Sequence, residues 1–157
     1  MSYRLPVYEL KLVRDHSVPF ESRPITSSPA EAARILREVL GDNGREHFGV
    51  LLLNTKNRII GAFKMDGTVD RAIVYPREIL TRALLADATG LIIGHNHPSG
   101  DPDPSQEDRH LTRSIVAAAN LFEIRVLDHV IIGDATNEYY SFQENRLMPG
   151  ADLKLAA

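Results

Sequence analysis

His95 and His97 stand two positions apart in Gly94-His95-Asn96-His97-Pro98-Ser99-Gly100, and Ser105 and Asp108 follow in Asp103-Pro104-Ser105-Gln106-Glu107-Asp108. Imidazole nitrogens and a carboxylate are the donors that hold a divalent cation, and a hydroxyl beside them can hydrogen-bond a reacting oxygen. The apolar run Gly90-Leu91-Ile92-Ile93-Gly94 leads into this stretch and reads as a buried strand. Alternate side chains on a strand share a face, so His95 and His97 converge while Asn96 points the other way. The prolines and Gly100 then turn the chain, and Asp103 is expected to cap a helix with Pro104 at its first position. On that helix Ser105 and Asp108 share a face. The product is a three-ligand metal site, His95, His97 and Asp108, with one coordination position open. Catalytic zinc is held this way, whereas structural zinc is usually closed by four protein ligands. A plainer reading is a hydrogen-bonded turn in which Asp108 merely favours the positive end of the helix. It accounts for Asp108 but leaves both imidazoles without a use.

A chain of 157 residues supports one domain with a real core. Its 43% hydrophobic and 25% charged content is that of an ordinary soluble protein. A net charge of −3 argues against a dedicated nucleic-acid surface. No window is apolar enough to span a bilayer, and the N-terminus has no signal-peptide core. With no cysteine, disulfides and thiolate metal sites are excluded, so any transition metal must use His and carboxylate. The chain is read as cytoplasmic.

The elements that must position the site follow from patterning. Tyr8-Glu9-Leu10-Lys11-Leu12-Val13 suits an edge strand, and residues 1–27 form an N-terminal strand and loop. Ser28-Pro29-Ala30-Glu31 is a capping-box pattern opening a helix that runs to Gly41, with a turn at Asp42-Asn43-Gly44. Glu46 to Asn54 and Arg58 to Met65 form a hairpin about Thr55-Lys56-Asn57. A second helix spans Pro76 to Asp87, and a third about Pro104 to Phe122. Ile124 to Gly133 and Tyr139 to Phe142 are strands, and the tail 149–157 is frayed. The fold class is α/β, a single-domain mixed β-sheet flanked by helices. The remaining histidines are weaker candidates. His47 has the opposite strand parity to Glu46, and His110 points away from Asp108 on its helix. His16 is a solvated residue. His129 reads as a satisfied core histidine, with a supporting place beside the site as the alternative.

The spacing His95-x-His97, Ser105, Asp108 resembles the JAMM signature of the JAB1/MPN metalloprotease fold. The longer string His95 to Ser105, with Tyr75-Pro76-Arg77-Glu78 before it and Leu127-Asp128-His129-Val130-Ile131-Ile132-Gly133 after it, resembles the RadC branch of that fold. The resemblance covers roughly Thr26 to Met148, so a RadC-like JAB/MPN domain is placed at 28–148, in a JAB1/MPN (cytidine-deaminase-like) architecture. Asn96 departs from the Ser or Thr usual in the wider fold and suits the RadC branch. The resemblance implies that His95, His97 and Asp108 bind Zn²⁺ and that Glu46, on an early strand, is the general base. Ser105 would stabilise an oxyanion, and the reaction would be hydrolysis of a peptide or isopeptide bond.

Two look-alikes fall. Contiguous His95-Asn96-His97 cannot act as an HNH nuclease motif, whose residues are spread over a ββα unit. Zinc deaminases need a Pro-Cys-x-x-Cys partner. Two other functions stay open beside the hydrolase. One is a DNA-associated repair or recombination factor, which the RadC resemblance implies but charge does not support. Longer RadC relatives carry an N-terminal helix-hairpin-helix region, and this chain is read as a short form without it. The other is a non-catalytic MPN scaffold, against which the complete ligand set argues. Substrate specificity is assigned to the loops Ser99 to Asp103 and Gly67 to Tyr75. The sequence names neither the peptide or protein substrate nor an oligomeric state.

Overall fold

A computed structural model describes residues 4–20, 26–41, 44–66 and 74–150. The elements run α1 (Pro29–Leu40), β1 (His47–Leu53), β2 (Ile59–Asp66), α2 (Pro76–Leu85), β3 (Gly90–His97), α3 (Gln106–Asn120), β4 (Arg125–Gly133) and β5 (Tyr139–Ser141). The five strands form one sheet in the order β2-β1-β3-β4-β5. β3 and β4 are parallel, and the other neighbours are antiparallel. The expected α/β class with a mixed sheet is therefore the observed one.

Each element starts and stops for local reasons. Ser28 caps α1 by accepting the Glu31 N–H at 3.2 Å, with Pro29 in the first turn. Glu31 does not complete the capping box, because its carboxylate bonds Arg34 instead. In the β1–β2 connection Asn54 Oδ1 accepts the N–H groups of Lys56 and Arg58, closing the hairpin.

The sheet buries both faces. On one side Leu36 and Leu40 of α1 pack on Leu51, Leu53, Ile92, Val130 and Ile132. On the other, Ile79 of α2 and Ile115 of α3 pack on Phe48, Val50, Leu91 and Ile93. A strand buried on both faces is apolar throughout, which is why β1 and β3 read as near-continuous apolar runs while edge strand β2 alternates. Gly94 is needed where α1 crosses β3. A Cβ there would lie 2.6 Å from both Leu36 Cδ1 and the Val130 carbonyl oxygen.

Two expectations are corrected. Residues 8–13 do not form an edge strand: residues 4–20 pair with neither sheet edge, and Val7 and Tyr8 are 91% and 83% exposed. Alternation supplies a strand's face but not its hydrogen-bonding partner. Nor does Asp103 cap α3. The cap is Ser105, whose backbone is extended and whose hydroxyl accepts the Asp108 N–H. Asp103 instead donates its own N–H to Asp101 Oδ1 at 3.0 Å, within the proline-rich turn. The predicted turn residues 42–43 and the tail beyond 150 lie outside the described residues.

Candidate metal centre

β3 and α3 bring the ligand candidates together. His95 and His97 project from β3 on the face covered by α2 and α3, and Asp108 reaches them from the first turn of α3. His95 Nε2 lies 3.0 Å from His97 Nε2 and 3.1 Å from Asp108 Oδ1, and His97 Nε2 lies 3.6 Å from Asp108 Oδ2. Each of the three offers one ligand atom, all within 4.8 Å of one another, and this His-His-Asp group could hold a metal ion. With bonds of about 2.0–2.1 Å, donors on a tetrahedral zinc stand about 3.3 Å apart, close to the 3.0 Å between the two Nε2 atoms and the 3.1 Å from His95 to Asp108 Oδ1. The donor set, two imidazoles and a carboxylate, suits that ion as well.

The protonation pattern points the same way. His97 Nδ1 lies 2.7 Å from the Asp101 carbonyl oxygen, which can only accept, so Nδ1 carries the proton and the neutral ring offers a bare Nε2. Burial by itself would push His97 down. Once Nε2 is protonated as well, its pairing with Asp108, the Nδ1 bond to Asp101 and the charges of Asp108 and Glu46 outweigh burial and raise it. Burial likewise works against ionised Asp108, but the contacts with His95 and His97 hold its carboxyl far below the usual range. Facing acceptors at these distances need a cation among them, whether a proton or a metal.

Asp108 is fixed by the capping box it shares with Ser105. Asp108 Oδ2 accepts the Ser105 N–H at 2.8 Å and the Ser105 hydroxyl at 2.7 Å. The hydroxyl proposed for an oxyanion is thus turned to the carboxylate here.

Glu46 lies one residue ahead of β1 and is half-buried. The β1–β3 ladder pairs Phe48 with His95, and the same register carried on sets Glu46 across from His97. Its negative charge reaches His97. His47, of opposite parity, turns to the α1 side, its Nδ1 2.9 Å from Asp66 Oδ1. His110 and His16 are exposed, as expected. The specificity loop at 67–75 lies outside the described residues from 67 to 73.

His129 is indeed a fully buried core histidine, stacked on Phe142, but its Nε2 lies 2.9 Å from His95 Nδ1. Its Nδ1 contacts Thr112 Oγ1 at 2.6 Å. Burial, then the neighbouring charge of His95, holds this ring well below the usual imidazole range. The signal was available in Asp128-His129, a polar pair at the head of an apolar run. Only a β-bulge decides its face: β4 pairs Val126 with Leu91 and then Asp128 with Ile92, passing over Leu127. That extra residue sets His129 beside Ile93, on the ligand side.

The RadC-like JAB domain family matches residues 26–147. A UPF0758 protein of Rubrobacter xylanophilus is 42% identical over 141 residues, covering 88% of this chain and 61% of the relative. A UPF0758 protein of Desulforamulus reducens is 41% identical over 133 residues, 84% of this chain and 58% of the relative. One of Desulforudis audaxviator is 45% identical over 117 residues, 74% and 51% respectively. The chain thus spans between half and two thirds of the length of these curated relatives. Among the described residues, no helix is long and apolar enough to cross a membrane.

Proposed function

This chain belongs to the RadC-like JAB domain family, and from that premise we propose that it is a zinc-dependent hydrolase of peptide or isopeptide bonds, its activity carried by residues 28–148. The observation that carries the reading is the convergence of His95 Nε2, His97 Nε2 and an Asp108 oxygen on one point. These three would hold the zinc. Bound zinc supplies Lewis acidity and a water whose pKa falls to about 7.

The chain's own residues do the rest. Glu46, across from His97 and half-buried, takes the proton of the attacking water on its carboxylate and passes it to the departing amine nitrogen. Despite its burial Asp108 stays ionised: protonated His95 and His97 favour its charge in the metal-free site and the Ser105 hydroxyl favours it throughout, so a carboxylate stands ready as a ligand. Ser105 can turn its hydroxyl from Asp108 Oδ2 to the substrate carbonyl oxygen, while its backbone N–H keeps the carboxylate in place. Phe48, stacked on His95 with rings inclined by 8°, keeps the first ligand's ring oriented and excludes water from its inner side.

The test is incubation of the zinc-loaded protein with a mixed peptide library, beside Glu46→Gln. Products from the wild type, lowered about 10²- to 10⁴-fold in a variant that still binds zinc, are expected. Equal turnover by the variant would move the base elsewhere, and no cleavage of any peptide would defeat the peptidase reading. A DNA-associated role would instead appear as salt-dependent duplex binding unaffected by His97→Ala. No feature of the described residues favours it.

A further inference from the structure

Two hydrogen bonds of 2.6 Å behind the ligands have only one consistent set of proton positions, and that set reaches the metal site. Thr112 Oγ1 lies 2.6 Å from the carbonyl oxygen of Asp108, which can only accept, so the threonine hydroxyl donates there. A hydroxyl has a single proton. Its second contact, with His129 Nδ1 at 2.6 Å, must therefore be an Nδ1–H donating to the hydroxyl oxygen. The His129 ring is fully enclosed, with another imidazole as its neighbour at Nε2, and an enclosed ring without a carboxylate partner is neutral. Its Nε2 is then a lone pair, and the 2.9 Å contact with His95 is a bond donated by His95 Nδ1–H. This leaves His95 Nε2 facing Asp108 Oδ1 at 3.1 Å, where the proton or metal that these acceptors share would sit.

We propose that His129 is a positioning residue of the metal centre: together with Thr112 it fixes His95 as the Nδ1–H tautomer and so presents the bare Nε2 to the cation. The role in metal binding rests on the zinc reading above. The chain of bonds starts at the Asp108 carbonyl and ends beside the Asp108 carboxylate. It therefore links the ligand on β3 to the ligand on α3 through β4. His97 gains the same tautomer by a separate route, from the Asp101 carbonyl. A space-filling role would ask only for a ring between Phe48 and Phe142. It would not ask for a hydroxyl aimed at Nδ1, nor for Nε2 aimed at a ligand.

The test compares wild type, Thr112→Val and Thr112→Ser. In the metal-free protein the tautomer of His95 is read from ring ¹⁵N shifts and long-range proton couplings. Zinc affinity is read by competition with a chromophoric chelator. Wild type and the serine variant are expected to show Nδ1–H at His95. Valine keeps the volume but cannot direct His129, so His95 becomes a mixture of tautomers and zinc affinity falls about 10- to 100-fold. A His95 Nδ1 without a proton in the metal-free wild type, which needs no variant to fold, would overturn the proposal, whereas a proton at Nε2 shared with His97 and Asp108 beside a protonated Nδ1 would not. So would a valine variant with unaltered tautomer and zinc affinity. A wild type that binds no zinc would defeat the hydrolase reading, while the tautomer measurement would still judge the role of His129 at His95.

Discussion

Asn96 Oδ1 accepts the backbone N–H of His47 at 2.7 Å, at the point where the ladder between β1 and β3 ends. The same amide donates through Nδ2 to the Arg45 carbonyl and to Asp134 Oδ2, each at 2.8 Å. The residue between the two candidate ligand histidines therefore grips the backbone on either side of Glu46, from the opposite face of the sheet. Replacing Asn96 by Ala removes these three hydrogen bonds, one of them buried, which costs about 1–3 kcal/mol. We expect denaturant unfolding of Asn96→Ala to show that loss, with zinc stoichiometry unchanged and turnover reduced because Glu46 is no longer held. Unchanged turnover would separate Asn96 from the base.

Metal content tests the ligands directly. Wild type should carry about one zinc per chain, and Asp108→Ala close to none, because two imidazoles alone make a weak, open site. His110→Ala, an exposed residue two positions further on, should match wild type. Equal zinc in the aspartate variant, by atomic absorption after dialysis, would contradict the assignment.

Gly94 predicts a packing effect. An added methyl meets the Val130 carbonyl at 2.6 Å, an atom that cannot move aside as a side chain does. Gly94→Ala should cost up to about 3 kcal/mol. Gly61→Ala, where the nearest atom is Leu52 Cδ1 at 3.7 Å, should change stability by less than about 0.5 kcal/mol. Similar urea midpoints for the two variants would argue against close packing of α1 on β3.

Acid should act through Asp128. Burial raises its carboxyl above the ordinary value of 3.8, although it accepts hydrogen bonds from Ser141 and Gln143. The folded protein then takes this proton more readily than the unfolded chain. Its contribution to stability is present at low pH and is lost as pH rises through the folded value. Relative to Asp128→Asn, the wild type should gain stability as pH falls from neutral towards 3.8, by no more than about 1.4 kcal/mol per pH unit. A stability difference that is flat, or that moves the other way, would show that the carboxyl is not raised.

Short-range spacing made the ligand group legible. Alternation on one strand put His95 and His97 on a common face, and one helical turn tied Ser105 to Asp108, because both relations are set by backbone geometry within a few residues. The same locality explains the missed cap: Asp103 and Ser105 are both good capping residues, and only the path of the turn selects between them. The strand expected at residues 8–13 failed for the complementary reason, since a lone alternating segment does not specify the edge that would pair with it.

What crosses between elements was decided by the tertiary structure. The register of β1 against β3 pairs Phe48 with His95 and so brings the chain just ahead of β1, with Glu46, towards the end of β3, and the bulge at Leu127 turns His129 towards His95. Register depends on the packing of whole sheet faces, and a one-residue slip reverses every side chain on a strand. The sequence by itself thus determined which groups could meet a metal, and the folded sheet determined which groups stand behind them.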